Sequence, residues 1–346
     1  MIKRIVLFIA LIILAVGAYL GYAGYNAIYG RALDLDSDQA SFYIKTGWEQ
    51  DEIIEALKEN AGLKSPEVAK ALMDQKNYKG SLIVPGKYTL KQDMGLNELI
   101  DHLRAGNGEE EVPVTFNFVR KLDELPAIIG MSIEADSAEI ADFILDPETA
   151  KKYGFSSSTF ISMFFPDTYR MEWDTDAEEF TARMATEYKK FWTDERKQKA
   201  RGYGLSQSEV STLASIVQAE QQVHSEERKV IAGLYLNRLN RGMKLQSDPT
   251  VVYSVGDFSI NRVLTKHLST QSPYNTYLNA GLPPGPINLP SKESVDAVLN
   301  ADSNSYIYMC AKADFSGYHA FATNLTQHNR NARAFQNALN QRKIYR

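Results

Sequence analysis

"LASIVQAEQQV", residues 213 to 223, places a glutamate where a buried helix would ordinarily carry a leucine. At about 100° per residue, Leu213, Ile216, Val217 and Glu220 share one face, while Gln218 points well away from it. A carboxylate in such a stripe is costly to leave without compensation. Two readings follow. In one, Glu220 is structural and satisfied by a buried guanidinium, with Arg228 and Arg238 of the next helix as candidates. In the other, apolar surroundings hold the carboxyl protonated and make it a general acid.

The sequence around this stretch builds a mainly helical frame. "SQSE" starts the helix with a capping box between Ser206 and Glu209. Ser225 opens a second helix, "SEERKVIAGLYLNRLNRG", which buries Val230, Ile231, Leu234 and Leu239 and ends at Gly242. Glu226 and Glu227 lie in its first turn, where acidic side chains favour the helix dipole and are expected to be solvated. Loops rich in Asn, Gln, Ser, Tyr and Pro follow, then a strand in "SYIYMCAK" and a helix in "NLTQHNRNARAFQNAL". Such loops beside a helix with a central glutamate read as the walls of a cleft.

A protonated Glu220 could give its proton to a glycosidic oxygen. Ordinary glycoside hydrolysis needs a second carboxylate. Asp248 in "QSDPT" is the candidate, but Asp248-Pro249 also fits an N-cap followed by proline at the first helical position. One glutamate suffices if no water is used. After donating its proton, the carboxylate takes one from a hydroxyl of the same sugar, which closes onto the anomeric carbon and releases a cyclic anhydro-sugar. Gln246, Asp248, Tyr274, Asn275 and Tyr277 are expected to line the cleft, by hydrogen bonding or by stacking on sugar faces. His319 and His328 could also line it, although a hydrogen-bonded structural role suits either. The five histidines show no ligand spacing, and no phosphate-loop, dinucleotide or Gly-x-Ser-x-Gly fingerprint occurs, so neither metal nor cofactor is expected.

The N-terminal part is organised differently. Residues 5 to 30 carry no charge and contain a stretch long enough to cross a bilayer, with Lys3 and Arg4 before it and Asp34, Asp36 and Asp38 after. We expect a cytoplasmic end at 1–4, an uncleaved membrane helix at 5–25, a linker at 26–40 and an extracytoplasmic remainder. The apolar run is too long for a signal peptide, and no convincing cleavage site follows it. "SFYIKTG" (41–47) alternates like a strand, and "WEQDEIIEALKENAG" is helical to Gly62. Ser65 and Pro66 start a second helix. "SLIVPGKYTL" turns at Pro85-Gly86 into another strand, and "GLNELIDHLRAG" is a third helix. This small α+β module ends at the acidic "GNGEEE" (106–111). "VPVTFNFV" (112–119) reads as a strand, 123–130 and 176–192 as helices and "FFPDTYRMEWD" (164–174) as loop. The division is 41–107 for the module, 108–205 for a connecting α+β region and 206–340 for the catalytic region.

The net charge of −5 over 346 residues argues against nucleic acid as a partner. The single Cys310 excludes an internal disulfide framework. Nineteen tyrosines and fifteen phenylalanines suit a carbohydrate-facing surface, and suit a core equally well.

"LASIVQAE", "NRLNRGMKLQSDPTVVY", "YNTYLNAGLPPGPINLPS" and "GYHAFATNLTQHN", in that order, resemble the successive motifs of the YceG-like endolytic murein transglycosylases. "VPGKYTL" (84–90) and "FFPDTY" (164–169) resemble earlier ones, so the likeness runs from about residue 41 to 340. It implies a membrane-anchored lyase that cuts peptidoglycan strands internally, between N-acetylmuramic acid and N-acetylglucosamine, and leaves 1,6-anhydromuramic ends. It further implies a LysM-like module over 41–107, a lysozyme-like catalytic cleft, Glu220 as catalytic acid, and a place beside the peptidoglycan synthases where new strands are terminated. Relatives often carry Glu-x-Glu where this chain has Gln218-Ala219-Glu220, and Glu-Gly where it has Ile161-Ser162. Two rivals remain: a muramidase-type hydrolase using Asp248, and a non-catalytic wall-binding scaffold.

Overall fold

In the computed structural model, residues 2–106 and 111–342 are described. The acidic stretch expected to close the small module falls largely outside them. The chain divides into two compact units: residues 1–114 with 132–135 and 169–176, and residues 115–131 with 136–168 and 177–346.

The first unit opens with α1 (Ile2–Tyr29), none of whose residues is buried. An 18-residue stretch of it reaches a mean hydropathy of 2.6, and the helix is long and apolar enough to cross a membrane. Then come β1 (Gln39–Ile44), α2 (Gln50–Ala61), α3 (Pro66–Gln75), β2 (Gly86–Lys91) and α4 (Leu96–Arg104). The strands pair antiparallel, from Gln39 opposite Lys91 to Ile44 opposite Gly86. Alternation turns Phe42, Ile44, Tyr88 and Leu90 inward, against Ile53 and Leu57 of α2, Met73 of α3 and Leu99 and Leu103 of α4. Gly62 ends α2 in the left-handed conformation at φ +59, and a Cβ there would lie 2.8 Å from the Asp34 carbonyl oxygen.

Next are β3 (Val112–Phe116), α5 (Leu125–Ile129), α6 (Ser137–Ile144), α7 (Pro147–Lys152), β4 (Asp167–Met171), α8 (Ala177–Phe191) and α9 (Asp194–Gly202). The segment expected to be loop at 164–174 is therefore partly strand, and β4 pairs with β3. The two inward positions, Tyr169 and Met171, are too few for alternation to stand out after Phe164, Phe165 and Pro166.

The site is carried by α10 (Gln207–Glu220), α11 (Arg228–Asn240), α12 (Asp248–Val255), α13 (Thr265–Leu268) and α14 (Lys292–Leu299), then the hairpin of β5 (Tyr308–Ala311) and β6 (His319–Ala322), and α15 (Leu325–Gln341). The strand β6 is an addition to the sequence reading. The capping box at Ser206 and Glu209 is formed as expected: Ser206 N–H donates to the Glu209 carboxylate at 2.8 Å, and Glu209 N–H donates to Ser206 Oγ. Ser206→Ala should lower stability by about 1 kcal/mol, read as a shift in denaturation midpoint. Every residue of α10 from Val210 to Val217 is buried, polar ones included, so this helix is central rather than one-faced. Its apolar side packs on Ile231, Leu234 and Tyr235 of α11 and on Val295, Val298 and Leu299 of α14.

Candidate active site

Glu220 is the last residue of α10, and Gln221 leaves the helix in extended conformation. Neither arginine compensates the glutamate. Arg228 donates to the carbonyls of Gln221 and Gln222 and to Ser294 Oγ. Arg238 donates to the carbonyls of Ile307, Lys244 and Leu245. Two hydroxyls meet the carboxyl instead: Tyr235 Oη donates to Glu220 Oε1 at 2.7 Å, and Ser247 Oγ donates to the same oxygen at 2.5 Å.

Both hydrogen bonds fall on one oxygen. With both lone pairs of Oε1 taken, a proton on this carboxyl resides on Oε2, which accepts from no described residue. Burial pushes the Glu220 carboxyl above the ordinary glutamate range, the two hydroxyls and His319 pull it back in part, and the negative charge of Asp248 pushes it up again. Burial, reinforced by Glu220, also raises Tyr235 well above its usual range and keeps its hydroxyl a donor.

Glu220 lines a cavity of about 260 Å³ together with Tyr235, Arg238, Gln246, Asp248, Tyr277, the β5 residues Met309 to Ala311, and His319. Three of the five expected cleft residues are thus gathered around the glutamate. Gln246 sits at φ +50 and donates its N–H to the Thr276 carbonyl. Tyr277 Oη donates to Asp248 Oδ1 at 2.6 Å. The other two lie elsewhere. Tyr274 packs on Tyr253 with ring centroids 4.8 Å apart. Asn275 is fully buried and donates to the carbonyls of Leu268 and Thr270, so it builds the loop that carries Tyr277.

Asp248 is not an N-cap. Ser247 holds that position and Asp248 is the first helical residue, followed by Pro249. Ser247 does not cap with its side chain, which is committed to Glu220, and its N–H donates to Thr276 Oγ1 at 3.0 Å.

Glu227 corrects a second expectation. It is buried rather than solvated, with 6% of its surface exposed. Its carboxylate accepts from Gln221 Nε2 at 2.6 Å, from the His319 N–H at 2.9 Å and from His319 Nδ1 at 2.8 Å. Bonding at Nδ1 orients the imidazole and leaves Nε2 as the remaining ring nitrogen of a side chain that lines the cavity. His328 stacks on Tyr308 and is absent from the cavity lining.

Gln218 turns from the Glu220 face, as expected, to anchor the "INLPS" segment. Its Nε2 donates to Asn288 Oδ1 and the Leu289 carbonyl, and its Oε1 accepts from Ser291 N–H and Ser294 Oγ. A glutamate would set a carboxylate against two acceptors, which accounts for the amide here.

The profile of the YceG-like family matches residues 42–334. The chain is 29% identical over 324 residues to the endolytic murein transglycosylase of Bacillus subtilis, covering 88% of both proteins. It is 26% identical over 357 aligned positions to the endolytic murein transglycosylase of Streptococcus pneumoniae strain D39; 93% of the chain is covered, but only 63% of that longer protein. The fold resembles the crystal structure of a YceG-like protein from Listeria monocytogenes, with a TM-score of 0.57 and 24% identity over 85% of this chain and 98% of that one. A match that takes in both units, α10 and every residue of the Glu220 cavity makes the chain a member of the YceG-like family.

Proposed function

We propose that this protein is an endolytic murein transglycosylase, a lyase that cuts peptidoglycan strands between N-acetylmuramic acid and N-acetylglucosamine. The observation that carries this reading is the asymmetric carboxyl of Glu220, doubly bonded at Oε1 and unpartnered at Oε2, in the wall of a cavity. Oε2–H protonates the glycosidic oxygen, and the C1–O bond breaks with its electron pair going to the departing N-acetylglucosamine. Tyr235 and Ser247 stabilise the carboxylate left behind. The carboxylate takes the proton of the muramic C6 hydroxyl, whose oxygen bonds to C1 and closes the 1,6-anhydro ring. Glu220 ends protonated, and no water is consumed. Gln246, Asp248, Tyr277 and His319 are the groups we assign to sugar contacts.

Asp248 lies in the same cavity, which keeps hydrolysis as the competing chemistry. Its charge offers another role, adding to burial in raising the Glu220 carboxyl above the ordinary glutamate range. The general acid is active when protonated, so kcat/KM should fall as pH rises through the elevated Glu220 value. Asp248→Asn removes a charge that raises that value, so the falling limb should move to lower pH with the maximum rate largely retained. Loss of all activity in this variant would instead make Asp248 the base of a hydrolase.

Several features support the wider setting. The order strand, helix, helix, strand with antiparallel pairing supports a LysM-like module over 41–107. A glutamate ending a buried helix beside a β-hairpin supports a lysozyme-like cleft. Lys3 and Arg4 at the start of the apolar helix, and aspartates after it, support a single-pass anchor with a cytoplasmic N-terminus and an extracytoplasmic site, and a strand-terminating lyase anchored there would work beside the peptidoglycan synthases. The test is the length distribution of purified glycan strands during digestion. Internal cutting shortens long strands early, whereas a scaffold leaves the distribution unchanged.

A further inference from the structure

Two of the helices that frame the catalytic cavity, α10 and α12, also frame a second, smaller cavity of about 200 Å³. Ala219 and Gln222 line it, while Glu220 between them in sequence lines the other; likewise Pro249 and Val252 line it, while Asp248 at the head of the same helix faces Glu220's cavity. Its distinctive group is Arg120. The guanidinium carbon lies 4.9 Å from the ring centre of Phe118 and 4.8 Å from that of Phe258. Lys121 Nζ approaches Phe258 at 5.9 Å. Among the described residues, neither cation has a carboxylate partner. The nearby Glu124 carboxylate is engaged by the backbone N–H groups of Arg120 and Lys121, both at 3.3 Å.

A guanidinium resting over two aromatic rings has lost much of its side-chain freedom while keeping its five donors. In a chain of net charge −5, a cation of this kind, in a cavity framed by the helices that carry Glu220 and Asp248, marks a place for an anion. Resting on the lyase reading above, we propose that Arg120 is a carboxylate-binding, specificity-determining subsite that reads the acidic substituent of the muramic residue. Two sources of carboxylate are available there: the stem peptide, and the bare lactyl group once the stem is removed. The planar fork suits bidentate contact with either.

The experiment compares the full-length wild-type chain with Arg120→Gln and Arg120→Lys on three substrates: strands with intact stems, strands with stems removed, and either kind with its carboxyls converted to neutral amides. For carboxylate-bearing strands, Arg120→Gln should raise KM about tenfold with kcat little changed, and Arg120→Lys should recover part of the loss. Amidated strands should be cut equally by all three proteins. A defect confined to stem-bearing strands assigns the stem carboxylates; one confined to stripped strands assigns the lactyl carboxylate. Equal KM values on every substrate would overturn the subsite, as would a defect that persists on amidated strands. Both of those outcomes leave anhydro-end formation by the wild type intact, whereas failure of the lyase reading would appear as its absence.

Discussion

Glu220→Gln should cut glycan strands at least about a thousandfold more slowly than wild type, because one side chain serves as acid in the first step and base in the second. The amide keeps the volume, and its oxygen can still accept from Tyr235 and Ser247, so the cavity should persist. The same variant should be more stable at neutral pH. A carboxyl whose pKa is raised in the folded state binds its proton more tightly there than in the unfolded chain. Between the two pKa values the folded protein therefore loses stability as pH rises, and the penalty is absent below the unfolded value, near 4.5. Glutamine carries no such penalty. The midpoint gap in favour of the variant should widen from mildly acidic to neutral pH in thermal melts. Wild-type rates in the variant, or a gap independent of pH, would remove Glu220 from the chemistry.

Glu227→Ala should cost about 3 kcal/mol of stability and most of the activity. Its carboxylate is the shared acceptor for Gln221 Nε2, the His319 N–H and His319 Nδ1, and truncation would leave these donors without their partner. The two residues belong to different elements: Gln221 follows Glu220 directly at the end of α10, and His319 begins β6. Losing the acceptor therefore loosens the end of α10 and the hairpin wall together. Denaturant midpoints check the first effect and strand digestion the second. A loss below about 0.5 kcal/mol, within the range of ordinary surface substitutions, would contradict the role assigned to Glu227.

The frame around Glu220 was legible because its signals are local. Helical period marks the apolar stripe, and Ser206 with Glu209 marks where α10 begins. What compensates the glutamate was not legible. Tyr235 and Ser247 stand 15 and 27 residues away, and a tyrosine in an apolar helix reads as core. Glu227 misled for a related reason: a first-turn acid ordinarily answers to the helix dipole, and here a histidine 92 residues later outweighs it. The polar run around Tyr274 to Tyr277 carries mixed purposes. Asn275 spends its side chain on its own loop so that Tyr277 can meet Asp248, and nothing in the composition separates those roles. Arg120 was silent because one of the two rings under its guanidinium is that of Phe258, far along the chain.

The most direct test of a water-free cleavage is digestion of intact strands in water enriched in oxygen-18, with mass spectrometry of every new end. Intramolecular closure by the C6 hydroxyl predicts 1,6-anhydromuramic ends with no heavy oxygen. Reducing muramic ends carrying one heavy oxygen at C1 would mean that water is the nucleophile, and would contradict the assignment of both proton transfers to Glu220 alone.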